Sequence, residues 1–559
     1  MSTGCSFPSW TVMAVTAVVA LLTLGVWRLF PIYPDELYYR ALVSRAFVEG
    51  FERTRVWPFC GDPGQAESIP YIFYPAATIF AGYSFIEDLS YNRIVAVAVM
   101  VASFFMLWGA FKRLASNDCN TCLIPTEIQL AAVKMIFCSA VLLCGLGTLP
   151  ATLVMVRGET GIYILVACLL LSFSNWRASL LWSTLATGFV ILVFTVSVFQ
   201  HPKALYFLPA VAVSIFALLW DRSRSIFMAA LSWLAWAGAE GYRINKVQLL
   251  SCPGFPRFEE YLRSFNIDLA KIFSNPDSFV TDLFQNNAPE RFLMIARKTM
   301  FIDGYDVNYL PSVKDSTFVE IVNGAVGSCW IILILVSIAV VTWYVRQIFL
   351  FRSKARLCRR ELIECLGMLA LYTGVTAQIL LNRTAWSYDC SYWFWMLIFL
   401  AAPSLLRILK PQLERDNFGI KSAVAGVFSF ILLSSVLSTV LSAETFYAAF
   451  RSGFAGPGIP VATMDSTATK LSIERALTEC RLSPTAPRLM VDDITYPFVQ
   501  RSFKPIWVTY ALFTAPLDAV ARAEALGSAG MIFSCSYVTL FPKLSFKRDG
   551  SICCTNFSQ

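Results

Sequence analysis

Long apolar runs recur along most of this chain and constrain its fold more than any other feature. About eleven windows approach the ~20 consecutive apolar residues that an α-helix needs to cross a bilayer. The fourth and the seventh are the weakest. In order, the runs are residues 10–30, 94–111, 135–156, 161–173, 179–199, 204–220, 226–239, 321–344, 362–381, 392–409 and 423–441. Hydrophobic residues make up 57% of the chain and charged residues 15%, which predicts a polytopic α-helical membrane protein.

Lysine and arginine in the short loops predict its orientation. If the helix count holds, three basic loops fall on one side, which the positive-inside rule assigns to the cytoplasm. These loops contain Lys112, Arg113 and Lys134, then Arg222 and Arg224, and then the six basic residues from Arg346 to Arg360. The amino terminus is then inside and the carboxyl terminus outside. Because the net charge of +8 gathers in such loops, nucleic acid is not an expected partner. No small-x-small cleavage site follows the first run, so we expect it to stay as a span.

The predicted organisation has two parts. Residues 1–442 form the transmembrane bundle, with long outer loops at 31–93 and 242–320. The second loop mixes aromatic and charged residues, and either a lid over a membrane-level cavity or ordinary surface packing would explain that pattern. Residues 443–559 alternate short helical and strand patterns, which predicts a small extracytoplasmic α/β domain.

The cysteines divide by compartment. Cys119 and Cys122 form a CxxC in a predicted cytoplasmic loop without a second pair, so free thiols are favoured over a zinc site. The carboxyl-terminal region lies on the predicted outer side, where disulfides are stable. There we expect one bridge, joining Cys480 to Cys553 or Cys554.

Two adjacent carboxylates follow the first apolar run, in the stretch PIYPDELYYR. Asp35 and Glu36 would lie at the outer membrane boundary, where a general base can meet a lipid-borne substrate. Solvated loop carboxylates are an equally good interpretation of the pair alone. A divalent cation, if one takes part, would use these two oxygen donors together with further ligands.

The PDELYY stretch directly after a first transmembrane helix resembles the first-loop motif of GT-C glycosyltransferases. It is most similar to the protein mannosyltransferase and aminoarabinose transferase type, which use polyprenyl-phosphate sugar donors. The resemblance implies that Asp35 is the catalytic carboxylate and Glu36 its helper. It also implies a multi-span bundle with large outer loops and an outer domain. Tyr38 departs from the aminoarabinose enzymes, which have arginine there, so donor and acceptor identities do not carry over.

A phosphate-carrying donor requires cations at the outer mouth of the bundle. The loop QHPK supplies His201, the only histidine, and Lys203, which can stabilise the charge gained as a glycosyl bond breaks. Interfacial anchoring by Lys203 and turn capping by His201 explain the pair equally well. The turn RGE adds Arg157 and Glu159, which the resemblance suggests belong to the site. A structural ion pair at a tight turn is the alternative, favoured slightly for Glu159.

The loop between the ninth and tenth runs, NRTAWSYDCSYW, combines an arginine with aromatic residues. Arg383 is a candidate phosphate ligand, and Tyr388 and Tyr392 are candidate sugar-binding residues. The aromatic belt found at membrane interfaces is the better explanation of Trp386.

Together these residues predict an inverting glycosyltransferase. Asp35 would deprotonate an acceptor hydroxyl, while Arg157, His201, Lys203 and Arg383 hold the departing lipid phosphate. The expected partners are a polyprenyl-phosphate-linked sugar, a glycan or lipid acceptor and the bilayer, with no cofactor beyond an optional divalent cation. The expected location is a bacterial inner membrane, with the site facing the exterior. A transporter or flippase of lipid-linked glycans, or a glycan polymerase, remains the alternative.

Overall fold

The fold is described from a computed structural model, for the following residues of the chain. These are residues 10, 12–18, 98, 101–111, 138, 159–174, 179–200, 202–244, 252, 255–299, 315–354, 359–414, 418–451, 466–484, 488–492, 494–499, 502–507, 512 and 515–557. This part of the chain is mostly helical and ends in a small sheet.

Within these described ranges, six helical stretches are long and apolar enough to cross a membrane. They are Leu180–Phe199, Pro202–Leu219, Thr317–Leu350, Glu361–Leu381, Asp389–Leu409 and Ser422–Leu441, and each matches a predicted run. Shorter apolar helices, Val101–Phe111 and Gly161–Phe173, overlap two more runs. The weak seventh run is helical too but is not among the six. The runs at 10–30 and 135–156 lie largely outside the described residues, so the count of eleven stays a prediction.

The helices are numbered here in chain order. They are α1 (Glu159–Ser174), α2 (Leu180–Gln200), α3 (Leu208–Leu219), α4 (Arg224–Ile244), α5 (Pro256–Arg263), α6 (Lys271–Ser274), α7 (Pro276–Asn286), α8 (Pro289–Thr299), α9 (Thr317–Lys354), α10 (Arg359–Leu381), α11 (Ser387–Glu414) and α12 (Phe418–Arg451). A 3-10 helix, Pro202–Phe207, leads into α3. Helix α12 continues past the predicted domain boundary at residue 442.

Helix α11 lies at the centre of the bundle. Its residues 392–401 are all buried, as expected for a helix that is apolar on every side. The ring of Trp395 meets that of Tyr163 on α1 edge-on, with centroids 4.4 Å apart. Two glycines allow helix α10 to pack closely on its neighbours. A Cβ at Gly367 would overlap the ring of Phe173, and one at Gly374 would crowd Phe207.

The bundle has two chemically different ends. At the basic end, named for the Arg346–Arg360 cluster, α9 finishes and α10 begins. There Arg407 of α11 pairs with the buried Glu364 of α10, and Tyr344 Oη lies 2.8 Å from Ser404 Oγ. At the domain end, α10 finishes, α11 begins and α12 leads towards the carboxyl-terminal domain. Alternating helix directions therefore place the sheet domain and the basic cluster at opposite ends.

The carboxyl-terminal domain is an α/β unit. It contains α13 (Ser466–Glu479), β1 (Arg488–Val491), α14 (Tyr496–Val499), β2 (Lys504–Trp507), α15 (Pro516–Ala525), β3 (Gly530–Ser534), β4 (Lys547–Asp549) and β5 (Ile552–Asn556). The strand order is β2-β1-β3-β5-β4. Strands β2, β1 and β3 are parallel, and β5 runs antiparallel to both of its neighbours, β3 and β4. The sequence predicted the first three strands and missed the closing β4–β5 hairpin.

Two disulfides hold this domain, where the sequence predicted one. Cys480 bonds to Cys554, which confirms the expected link to one of the two adjacent cysteines. Cys553 bonds to Cys535, and this second bridge corrects the prediction. Adjacent residues of a strand point to opposite faces, so each of the two cysteines reaches a different layer.

The segment around α5 packs against the same domain. Phe255, Phe258 and Leu262 share a buried apolar cluster with Met531 and Phe533 of β3. Past α5, the chain forms a short antiparallel bridge with the α10–α11 turn, where Ile267 N donates to Leu381 O at 2.9 Å. The segment therefore connects the sheet domain to the domain end of the bundle.

Candidate functional site

A buried polar cluster occupies the domain end of the bundle. Lys203, in the 3-10 helix after α2, forms a salt bridge with Asp389 in the first turn of α11. The Lys203 side chain is 12% exposed and that of Asp389 only 1%. Asn382 Nδ2 lies 3.3 Å from the other oxygen of Asp389. The carboxylate therefore joins two elements that are far apart in the sequence.

Local sequence explains how Asn382 and Asp389 reach this position. Asn382 directly follows α10, and its Oδ1 accepts from the backbone N and the hydroxyl of Thr384 at 3.1 and 2.9 Å. Such an Asx turn reverses the chain between two helices. Asp389 then falls in the first turn of α11, where the helix dipole favours a negative charge. Gln378 Nε2 also contacts the Lys203 carbonyl at 3.4 Å.

Arg291 of α8 adds a second buried cation. Its guanidinium donates to the Asn382 carbonyl and, at 2.6 Å, to Asn287 Oδ1. Burial lowers the pKa of Arg291, and the negative charge of Asp389 opposes that shift. Lys203, Arg291 and Asp389 together carry two positive charges and one negative charge. The sequence reasoning missed Arg291, since its helix is too mixed in character to mark it as buried.

Arg383 lies one residue beyond Asn382 but faces a different carboxylate. Its Nη2 is 3.1 Å from Asp282 Oδ2, and the side chain is 38% exposed. Lys271 Nζ contacts the same oxygen at 2.8 Å, and that bond is the main reason why the pKa of Asp282 is lowered. The two predicted phosphate ligands Lys203 and Arg383 therefore share the domain end, each paired with its own carboxylate.

The aromatic candidates have different environments. The Tyr392 ring is fully buried and packs on Tyr163, with centroids 5.2 Å apart. In this structure the protein encloses it, so it would bind a sugar only after rearrangement. Trp386 is half-buried, with Lys298 Nζ 5.5 Å from its ring centroid. This contact makes Trp386 part of the domain-end surface.

Several predicted site residues cannot be compared with this geometry. Asp35, Glu36, Arg157 and His201 lie outside the described residues. Glu159 begins α1 and Tyr388 lies in the first turn of α11, but the description of these two residues covers the backbone alone. Within the described ranges, no group of three or more His, Cys, Asp or Glu residues is arranged to hold a metal ion.

The fold and the cluster define a largely helical protein with several membrane-length helices and a small sheet domain beyond one end of the bundle. The chain matches no protein-family model, and a search of curated proteins finds no significant match.

Proposed function

We propose that this chain is a membrane glycosyltransferase of the GT-C type, which moves a sugar from a polyprenyl-phosphate donor to an acceptor hydroxyl. The observation that carries the proposal is the buried cluster of Lys203, Arg291 and Asp389 at the domain end. Two cations held by protein beside the end of a bundle suit an anionic group attached to a lipid. The PDELYY stretch supplies the carboxylate that such a reaction needs.

The positions of charge favour catalysis over transport. Transporters bind their cargo near the middle of the membrane, on broken helices. In the six membrane-length helices, every charged residue lies close to one end, as Lys203, Glu364, Asp389 and Arg407 illustrate. A flippase that binds an anionic cargo near mid-membrane would be expected to place charged groups deeper in these helices. This distribution supports chemistry at the membrane boundary.

In the proposed reaction, Asp35 accepts the proton of the acceptor hydroxyl as its oxygen bonds to the anomeric carbon. The bond from that carbon to the phosphate oxygen breaks, and the polyprenyl phosphate leaves with the bonding electrons. Cations stabilise the phosphate, so no general acid is needed. Asp389 would orient Lys203 before the donor arrives, and the donor phosphate would then compete for the same ammonium. Arg383 would contribute in the same way, by leaving its partner Asp282 and binding the donor phosphate.

The proposed location is a bacterial inner membrane, with the domain end facing the exterior. The basic cluster at the opposite end agrees with the positive-inside rule. The pairs Cys480–Cys554 and Cys535–Cys553 suit an oxidising compartment. Both arguments favour an extracytoplasmic carboxyl-terminal domain.

The test uses the full chain in proteoliposomes with undecaprenyl-phosphate-linked mannose and aminoarabinose as donor probes. Asp35→Asn should abolish formation of the new glycosidic bond, because the amide cannot accept the hydroxyl proton. Glu67→Gln, a carboxylate change in the same predicted loop, should retain transfer. Wild-type activity in Asp35→Asn would refute the assigned base. Movement of intact donor across the bilayer without bond formation would favour the flippase.

A further inference from the structure

Two short helices near the domain end form a distinct elbow, defined here as residues 269–286. Helix α6 is followed at once by α7, whose first turn is capped by Asn275, with its Oδ1 3.1 Å from Ser278 N. Lys271 on α6 reaches Asp282 on α7 at 2.8 Å. This bond folds α6 alongside α7 and makes the elbow one unit.

Asp282 and Asn286 of the elbow contact the bundle, whereas Asp277, Thr281 and Gln285 are exposed. Asn286 Nδ2 donates to the carbonyls of Leu380 and Asn382 at 3.0 and 3.2 Å. Asp282 binds Arg383 at 3.1 Å. These contacts occupy the last carbonyls of α10, which have no partner within the helix itself. The elbow is therefore attached to the protein by its polar groups.

Five large apolar side chains of the elbow are exposed, and Phe279 and Leu283 are half-buried. All side chains of α6 and α7 are described, and none is buried. Phe273 is 92% exposed and Phe284 74% exposed, with Leu269, Ile272 and Val280 also exposed. Amphipathic helices on a water-facing surface show the reverse arrangement, with apolar residues packed inward. These exposed apolar side chains favour contact with an apolar phase.

The position of the elbow identifies that phase. Leu380 and Asn382 mark the end of the membrane-length helix Glu361–Leu381, so the elbow is attached at the level where this helix leaves the hydrocarbon. On α9, Ile331 and Leu335 are each 61% exposed, as expected of residues that face lipid. The elbow therefore presents its exposed apolar side chains at the membrane boundary that the end of α10 marks.

We infer that the elbow is an interfacial membrane anchor, embedded in the leaflet on the side of the carboxyl-terminal domain. Phe273 and Phe284 insert among lipid chains, and the partly exposed Lys271 and Arg383 lie at the depth of the headgroups. Amphipathic helices bind this boundary through one apolar face and basic groups beside it. The inference depends on the described contacts alone and does not require the proposed reaction.

The test places a photoreactive group on the full chain in nanodiscs of phosphatidylethanolamine and phosphatidylglycerol. In separate variants, p-benzoylphenylalanine replaces Phe273, Phe284, Leu335 or Leu517. Leu335 on α9 is the lipid-facing reference. Leu517, in the carboxyl-terminal domain, is 74% exposed like Phe284 and controls for exposure alone. After irradiation, mass spectrometry measures lipid adducts on each peptide.

We expect adducts at positions 273 and 284 within about threefold of those at 335, and at least about tenfold above those at 517. Adduct levels at 273 and 284 as low as at 517 would overturn the inference, because the face would then meet water. Crosslinks mainly to a second copy of the chain would also overturn it, since a protein interface would then cover the face.

Discussion

The Lys203 ammonium pairs with the Asp389 carboxylate although 186 residues separate them in the sequence. This pair ties the turn after α2 to the start of the central helix α11. Asn382 and Arg291 enclose it, so the α10–α11 turn and α8 converge on the same place. The domain end of the bundle is organised around this one carboxylate.

Breaking the pair from one side should destabilise the protein strongly. Lys203→Met leaves Asp389 buried without its main partner, which costs about 3–5 kcal/mol in comparable buried pairs. The double variant Lys203→Met, Asp389→Asn should lose less than the sum of the two single variants, because it contains neither a buried Asp389 charge without Lys203 nor a Lys203 charge without Asp389. The measurement is unfolding of the detergent-solubilised full chain.

The matched control for that cycle is Arg243→Met, which removes an exposed pair with Glu240 on one helix. Exposed pairs contribute about 0–1 kcal/mol. Equal losses from Lys203→Met and Arg243→Met, or strict additivity in the double variant, would show that the buried pair is not coupled.

The two disulfides should differ in their contribution to stability. Cys480–Cys554 spans a sequence separation of 74 residues and Cys535–Cys553 one of 18. Loop-closure entropy then predicts about 4.5 kcal/mol for the first and about 3 kcal/mol for the second. The test compares two double variants, each lacking one bridge, by pulse proteolysis of the full chain in urea. The variant with Cys480→Ser and Cys554→Ser should be less stable than the variant with Cys535→Ser and Cys553→Ser. The reverse order would show that the closing hairpin depends more on its local bridge.

Asp492 should make the stability of the carboxyl-terminal domain depend on pH. Burial raises the pKa of Asp492, and hydrogen bonds from Ser534 N at 2.8 Å and Thr495 N at 2.9 Å oppose that shift. The carboxyl group of Asp492 therefore stays protonated in the folded domain at pH values where it has lost its proton in the unfolded chain. The free energy of unfolding should fall as pH rises from about 4 through the folded pKa, by about 1.4 kcal/mol for each unit of elevation.

Asp492→Asn isolates this effect from the other carboxyl groups. The amide does not titrate, so the variant should lack this part of the decline, although it should be less stable overall because it loses an acceptor oxygen. Urea unfolding followed by proteolysis between pH 4 and 7 provides the comparison. Parallel pH profiles for the two proteins would contradict the raised pKa.

Particular residues show how far sequence reasoning reached. Hydropathy located the six membrane-length helices, and alternating patterns located β1, β2 and β3, because both signals are local. The positions of the cysteines in the carboxyl-terminal region predicted a bridge from Cys480 to Cys553 or Cys554, but they did not predict the second bridge. Lys203 and Arg383 were predicted to be cations near helix ends, and both lie at the domain end of the bundle. Their carboxylate partners were not predicted, since nothing local connects position 203 to 389 or position 383 to 282.

The sequence by itself determined that this chain builds apolar helices of membrane length with its charges near their ends, because burial in hydrocarbon restricts composition residue by residue. Only the tertiary structure decided which charges meet. Lys203 and Asp389 become partners because α10 packs against α3 and against the 3-10 helix that contains Lys203, and a short turn joins α10 to α11. The outward face of Phe273 and Phe284 was likewise decided by packing, since the polar residues of that segment are used to bind the end of α10.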